Sequence, residues 1–231
     1  MMVWESMGFV YLSYVLSETT PVYGNGMSLV REVHKDMTRG DSCNTQYWKL
    51  SNHIGTHVDA PRHFSGNGKF LDQYPADFWV CNNVCHLVLP PVADKHIIGE
   101  QDFKAFEIPG NTDLLLVQTG FWKKREQREY MMENPGFEPG LADFFRAQCP
   151  TLKMIGFDGI SLSSFASRKI GRKSHKAFLD HDAPILIIED MDLSGLGKNS
   201  RIHQVVVCPI RVEKSDAAPC TIIADIQEEI L

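Results

Sequence analysis

Two stretches of the chain, Leu114-Leu115-Leu116-Val117 and Ile185-Leu186-Ile187-Ile188, are apolar at every position. A half-exposed strand alternates apolar and polar side chains, so an unbroken run of this length belongs to a strand covered on both faces. Cover on both faces demands helices or a second sheet on each side, and three helical segments are available. Trp122–Glu133 is highly charged and stops before Asn134-Pro135-Gly136. A second helix opens at Pro139 and ends before Pro150, and a third lies around Arg172–Leu179. The expected strands are Phe9–Leu16, Gln46–Leu50, Val84–Leu89, Leu114–Gln118, Lys153–Phe157, Ile185–Ile188, His203–Val212 and Thr221–Ala224. Each is rich in Val, Ile, Leu or aromatics and bounded by Gly, Pro, Asn or Asp. The pattern predicts one α/β domain over residues 1–231 with a mixed sheet, a size at which a single domain folds without covalent staples.

The formal net charge of −6 gives no basic excess to neutralise phosphates, so general nucleic-acid binding is not expected. The apolar stretch Met7–Leu16 is too short to span a bilayer, and the expectation is a soluble cytoplasmic protein without a membrane partner. The six cysteines are widely scattered, unlike the dense framework of a small secreted scaffold. Cys81, Cys85 and His86 suggest a thiolate metal site, but no second Cys pair completes it. Val84–Leu89 alternates as a strand does, so reduced, buried thiols are the expectation. The four Trp and most Phe read as core or interface filler.

The segment Asn52-His53-Ile54-Gly55-Thr56-His57-Val58-Asp59-Ala60-Pro61-Arg62-His63-Phe64 carries three of the chain's nine histidines and an aspartate. Clustered imidazole and carboxylate is the ligand chemistry of Zn²⁺ and related ions. The i, i+4 spacing of His53 and His57 is that of helical zinc proteases, but Gly55 and Thr56 are poor helix formers and Pro61 drives Ala60 out of the helical region. In an extended segment His57 and Asp59 point to the same face. A bend at Gly55 then brings His53 to the same point, and a turn at Pro61 presents His63 nearby. Far downstream, Glu189 ends an apolar strand, where a carboxylate is costly unless paired or bound to a cation. Asp158, at a similar strand end, reads as a turn or capping residue.

The pattern His53-x-Gly-Thr-His57-x-Asp59-Ala-Pro-x-His63-Phe64 resembles the signature of the cyclase-like metal-dependent hydrolases, which include bacterial kynurenine formamidases and isatin hydrolases. The resemblance extends through Leu12–Leu16 with Thr20–Tyr23, Asp113–Leu116 with Thr119-Gly120, Gly156–Asp158 with Ser161, Ser174–Leu179, and Ile187–Glu189. It implies a swivelling β/β/α fold with a mixed, barrel-like sheet flanked by helices, and a homodimer or homotetramer. It also implies one or two ions, Zn²⁺ or Mn²⁺, held by His53, His57 and Asp59, with Asp59 bridging to a second site completed by His175 and Glu189. His63 takes the acid–base position. Tyr23 stands at a substrate-facing loop position often occupied by Trp. The His175–Glu189 spacing is longer than the resemblance leads one to expect. Either the turn at His181-Asp182-Ala183-Pro184 is extended or His181 is the ligand, and the Ser-His-Lys context favours His175.

The implied activity is hydrolysis of a C–N amide bond, a formyl-amide or a cyclic amide, in a small molecule by metal-activated water. A metal-dependent dehydratase or cyclase, or a metal-binding protein without catalysis, are the alternatives. Arg168, Lys169, Arg172, Lys173 and Lys176 crowd the neighbourhood of His175. They read as a solvated helix face, or as partners for an anionic substrate group, a role equally open to Arg62.

Overall fold

A computed structural model describes residues 3–230. The chain opens with strand β1 (Val3–Tyr11), the two strands of a hairpin, β2 (Val30–Lys35) and β3 (Thr45–Lys49), and the three-residue strand β4 (His57–Asp59). β5 (Val80–Cys81), β6 (Val84–Val88), β7 (Ile97–Ile98) and β8 (Leu114–Gln118) follow, then helix α1 (Arg128–Met132) and strand β9 (Gly136–Phe137). The C-terminal half is α2 (Gly140–Gln148), β10 (Met154–Phe157), α3 (Arg168–Leu179), β11 (Leu186–Glu189), β12 (Arg201–Pro209) and β13 (Ala217–Ile230).

Eight strands follow the order β5-β12-β13-β4-β11-β10-β8-β6, and β1 adds to β13. From β6 through β8 and β10 to β11 neighbours are parallel, and from β11 onward through β4, β13 and β12 they are antiparallel. The end strands β5 and β6 are joined by Asn82-Asn83 alone, so the mixed sheet is nearly closed and barrel-like. Apolar residues divide by parity. Leu114, Leu116, Met154, Leu186 and Ile188 point into the interior core with Val58 and Ile222. Leu115, Val117, Ile155 and Ile187 pack outward against Phe145 of α2 and Phe178 of α3. Both faces of these strands are covered, which is why their sequence shows no alternation.

The differences from expectation have local causes. The charged segment from Trp122 to Glu133 is a 3-10 turn followed by the short α1, because Gln127 adopts an extended conformation between them. Arg125, in the gap, makes a two-bond ion pair with the buried Asp190 (2.7 and 2.9 Å). β13 runs fourteen residues where only Thr221–Ala224 was expected, and it includes Pro219. It tolerates the proline where it leaves β4 and turns to pair with β12 and β1. The hairpin of β2 and β3 is exposed at every position, and Trp48, expected as filler, is 61% exposed there. All six cysteines are free, and burial pushes the Cys81 thiol up to about 12 and the Cys85 thiol to about 11. Among the described residues no helix is long and apolar enough to cross a membrane.

Candidate metal centre

β4 presents His57 and Asp59 on one face while Val58 between them enters the interior core. Its antiparallel register with β11 places Glu189 opposite His57, so three buried polar side chains lie side by side. Their closest atoms are His57 Nε2 and Glu189 Oε2 at 3.4 Å, and His57 Nε2 and Asp59 Oδ1 at 3.5 Å. This face looks outward towards α3, whose buried stripe includes Gly171, Ser174, His175 and Phe178. His175 Nε2 comes within 3.4 Å of Glu189 Oε1 and 3.7 Å of Asp59 Oδ2.

His53 arrives from the irregular loop before β4. Gly55 there has φ of +62°, a left-handed conformation that a Cβ disfavours, and the resulting bend sets His53 Nδ1 3.0 Å from Asp59 Oδ1. Thr56 fixes the loop, since its hydroxyl donates to the Asp190 carbonyl (2.5 Å) and accepts from the Tyr14 amide (3.0 Å).

The imidazoles are oriented from behind. His57 Nδ1 donates to the Gly55 carbonyl at 2.8 Å, and His175 Nδ1 donates to the Gly171 carbonyl at 3.0 Å. Each therefore turns an Nε2 lone pair towards the carboxylates, the arrangement in which ligating histidines are held. Glu189 is anchored likewise. Its Oε1 accepts from the Leu162 amide (2.8 Å) and the Ser161 hydroxyl (3.2 Å), and its Oε2 is left towards His57.

His57 Nε2 is buried and has no hydrogen-bond partner, and the oxygens nearest to it belong to Asp59 and Glu189. A buried lone pair facing carboxylates in this way costs about 1–3 kcal/mol unless something positive lies between them. Ligands about 2.0–2.1 Å from a tetrahedral zinc stand roughly 3.3 Å apart, close to the separations found here. The donor set of imidazole nitrogens and carboxylate oxygens suits Zn²⁺ and Mn²⁺ alike. The residues present thus fit a divalent cation. One group is His53, His57 and Asp59, another is Asp59, His63 and His175, each with ligand atoms within 4.8 Å of one another, and Glu189 touches both His57 and His175.

The electrostatics agree. Burial opposes a charge on His53, yet the carboxylates of Asp59, Asp216 and Glu189 outweigh it and raise its pKa to about 9. Burial also opposes a charge on His175, and Glu189 and Asp59 overcome it to raise that pKa. The burial of Asp59 is in turn outweighed by the imidazoles around it, which hold its carboxyl below the usual range.

His63 closes the 3-10 turn Pro61–His63, with the proline at its first position. Its Nδ1 is 3.0 Å from Asp216 Oδ2, and its Nε2 is 4.0 Å from Asp59 Oδ2. Burial lowers its pKa, as do the neighbouring His53 and His175, against the pull of Asp59. Asp216, which nothing in the local sequence pattern marks, also lies 3.3 Å from His53 Nε2 and accepts from Asn52 Nδ2 at 2.8 Å. It reaches the site because β13 pairs with β4, Ala217 opposite Asp59.

The four histidines with Asp59 and Glu189 line a cavity of about 490 Å³ shared with Tyr23, Phe64, Ile160, Arg168 and Arg172, and Asp216 stands behind it. Arg62 does not line it. That side chain is exposed, its guanidinium 4.9 Å from the Phe70 ring centroid and bonded to the Gly66 carbonyl. His181 lies in an exposed turn away from the cavity, accepting from the Ala183 amide, so of the two downstream histidines it is His175 that meets Glu189. Asp158 is a capping residue. Its carboxylate accepts from the Thr119 amide and hydroxyl and the Gly120 amide.

Comparison with known proteins gives concordant results. A kynurenine formamidase of Geobacillus thermodenitrificans (strain NG80-2) is 24% identical over 212 residues, covering 91% of this chain and 94% of its own. Cyclase-like protein 1 of Arabidopsis thaliana is 28% identical, covering 85% and 74%. In fold, the chain is similar to isatin hydrolase A from Labrenzia aggregata, with a TM-score of 0.78 at 18% identity over 96% of this chain and 94% of that one. The Cyclase family model matches residues 10–164, about two thirds of the chain and the whole of the histidine-rich segment, and the protein belongs to that family.

Proposed function

We propose that the protein is a metal-dependent hydrolase that cleaves a C–N amide bond, a formyl-amide or a cyclic amide, in a small molecule. The observation that carries this reading is the convergence of His53, His57 and Asp59, with ligand atoms within 4.8 Å of one another, on a cavity of small-molecule size beside a neutral imidazole. His53, His57 and Asp59 would hold one ion, and Asp59, His175 and Glu189 a second. A bound divalent ion supplies Lewis acidity, which acidifies water and polarises a carbonyl.

The protein's own part is proton handling and placement. With Nδ1 bonded to Asp216, His63 carries its proton there and keeps a lone pair on Nε2, the nitrogen turned towards Asp59 and the cavity. Its lowered pKa leaves it neutral near pH 7, the form a general base requires. Hydrolysis consumes one water and yields a carboxylic acid and an amine. Nε2 takes the proton that leaves the water and returns it to the departing nitrogen. Asp216 stabilises the imidazolium between those two transfers, the role a buried carboxylate plays behind a catalytic histidine.

Relatives named as kynurenine formamidases and structural neighbours named as isatin hydrolases support the reaction class. The test is a pair of variants assayed for metal content and for turnover of formyl-amides and cyclic amides. Asp59→Ala should lose metal. His63→Ala should keep it and slow turnover by roughly 10²–10⁴. Full metal occupancy in Asp59→Ala would refute the ligand assignment, and equal metal loss in both would make His63 a ligand. Solvent ¹⁸O appearing in the product distinguishes hydrolysis from a dehydratase or cyclase reaction.

A further inference from the structure

We propose that Arg168 and Arg172 form an anion-holding wall of the cavity, and that the substrate is a small planar amide bearing a carboxylate remote from its scissile bond. The inference builds on the hydrolase reading and names its substrate class. Arg168, Arg172 and His175 fall at i, i+4 and i+7 of α3, one stripe of the helix, and all three line the cavity. All five basic residues of the run are exposed, but Lys169, Lys173 and Lys176 do not reach the cavity, so only the two arginines stand at its rim.

Neither arginine has a carboxylate partner among the described residues. Among the described residues the arginines ion-paired to a carboxylate are Arg31, Arg39, Arg125, Arg128 and Arg146. α3 offers no acid of its own in twelve residues, and Arg168 occupies its first turn, where the helix dipole disfavours a cation. The Arg168 guanidinium is nonetheless held in place, 4.0 Å from the Phe165 ring centroid. Phe165 meets the Tyr23 ring edge-on at 5.5 Å. A Cβ added to Gly24 would fall 2.5 Å from that phenylalanine ring and 3.4 Å from Arg168 Nη2, so the glycine lets the Tyr23 loop close on the arginine. The buried Tyr23 hydroxyl faces the Arg168 guanidinium, which can donate only to its oxygen, so its own proton is left to donate.

The cavity lining thus carries both signs, the acids Asp59 and Glu189 and the two guanidinium groups beside a phenol. Phe64 and Ile160 supply apolar wall, the surroundings a flat ring takes. An anionic group is drawn to the arginines, which orients the rest of the molecule towards His63. Arginine recognises carboxylates through paired, charge-assisted hydrogen bonds, which sets the expected effect at about tenfold or more.

Binding without turnover tests the wall directly. Calorimetric titration of the chelated protein should show benzoate binding at least tenfold more tightly than benzamide. Arg168→Gln/Arg172→Gln should weaken benzoate at least tenfold, whereas Lys169→Gln/Lys173→Gln, the same charge change off the cavity, should alter it less than twofold. Equal binding to wild type and the arginine variant, no benzoate binding to wild type, or tighter binding of inorganic phosphate than of benzoate overturns the proposal. In the metal-loaded enzyme, the preferred isomer of formamidobenzoate should exceed its methyl ester at least tenfold in kcat/KM, a margin the arginine variant loses through KM. Turnover without that margin refutes the wall and leaves the hydrolase reading standing. Benzoate binding as expected with no hydrolysis of any formamidobenzoate supports the wall and refutes the hydrolase reading.

Discussion

Removing the ion with a chelator should invert the pH dependence of stability, and His53 sets the size of the effect. Its folded pKa of about 9 compares with 6.5 in an unconstrained chain. At about 1.36 kcal/mol per pH unit, that gap is worth about 3 kcal/mol of folding free energy. A raised pKa means the folded state holds the proton more tightly. The contribution is whole below pH 6.5 and is lost as pH climbs through about 9. His175, also raised, adds in the same direction. His63 and His86 are lowered, so their titration falls below 6.5 and leaves the window clear. Asp59 and Asp216 are lowered as well, and act below the ordinary carboxylate range. Metal reverses the sign, because a ligating imidazole must first lose its proton and binding strengthens as pH rises. Urea denaturation near pH 6, 7.5 and 9, with chelator and with stoichiometric zinc, separates the two regimes. The chelated midpoint should fall by about 1 M or more at a typical slope, and the gap between loaded and chelated protein should widen. A chelated midpoint that stays level or rises across this window would refute the charge argument for the site.

Asp216→Asn removes the acceptor behind His63 while keeping its shape, and activity should drop about 10–100-fold with little change in KM; steady-state kinetics that show no loss would refute the orienting role. His175→Ala should release bound metal and His181→Ala should not, as elemental analysis of the two purified variants will show. Gly171→Ala would ordinarily favour a helix by up to about 1 kcal/mol. Here its Cβ would lie 2.0 Å from Ser163 Oγ, so the urea midpoint should fall by the equivalent of about 1–3 kcal/mol. The exposed Val30, Val33, Tyr47 and Trp48 of the β2–β3 hairpin are consistent with the oligomer implied by the family resemblance, and sedimentation showing only monomer at micromolar concentration would reject it.

The strands covered on both faces were the most legible part of the fold. Leu114–Gln118 forms with the bounds its sequence predicts, because five buried residues leave no register that exposes any of them. β2 was not legible. Val30-Arg31-Glu32-Val33-His34-Lys35 stays exposed throughout, so burial imprints no pattern on it. Within the site, the period-two placement of His57 and Asp59 and the bend at Gly55 followed from elementary backbone geometry. Asp216 did not, because it is 157 positions beyond Asp59 and joins it only through the β4–β13 pairing, a tertiary fact with no local signature. The basic run near His175 was visible as charge, but which of its residues reach the cavity depends on how α3 is rotated against the sheet.

The change of strand direction explains where the polar face lies. β8, β10 and β11 are parallel and finish at the same edge of the sheet, the edge at which open α/β sheets gather their ligands. β4 runs the opposite way beside β11, so its first residue, His57, meets the last residue of β11, Glu189. A strand parallel to β11 would have carried its own C-terminal residue to that point. Two acids stand at strand ends on this edge, and what divides them is spare acceptor capacity. Asp158 commits both oxygens to the Thr119–Gly120 turn, and its pKa is raised by burial despite those bonds. Glu189 gives one oxygen to Leu162 and Ser161 and keeps the other facing His57 Nε2, a nitrogen with no hydrogen-bond partner. The first is therefore a structural cap, and the second keeps an oxygen open to the proposed ion.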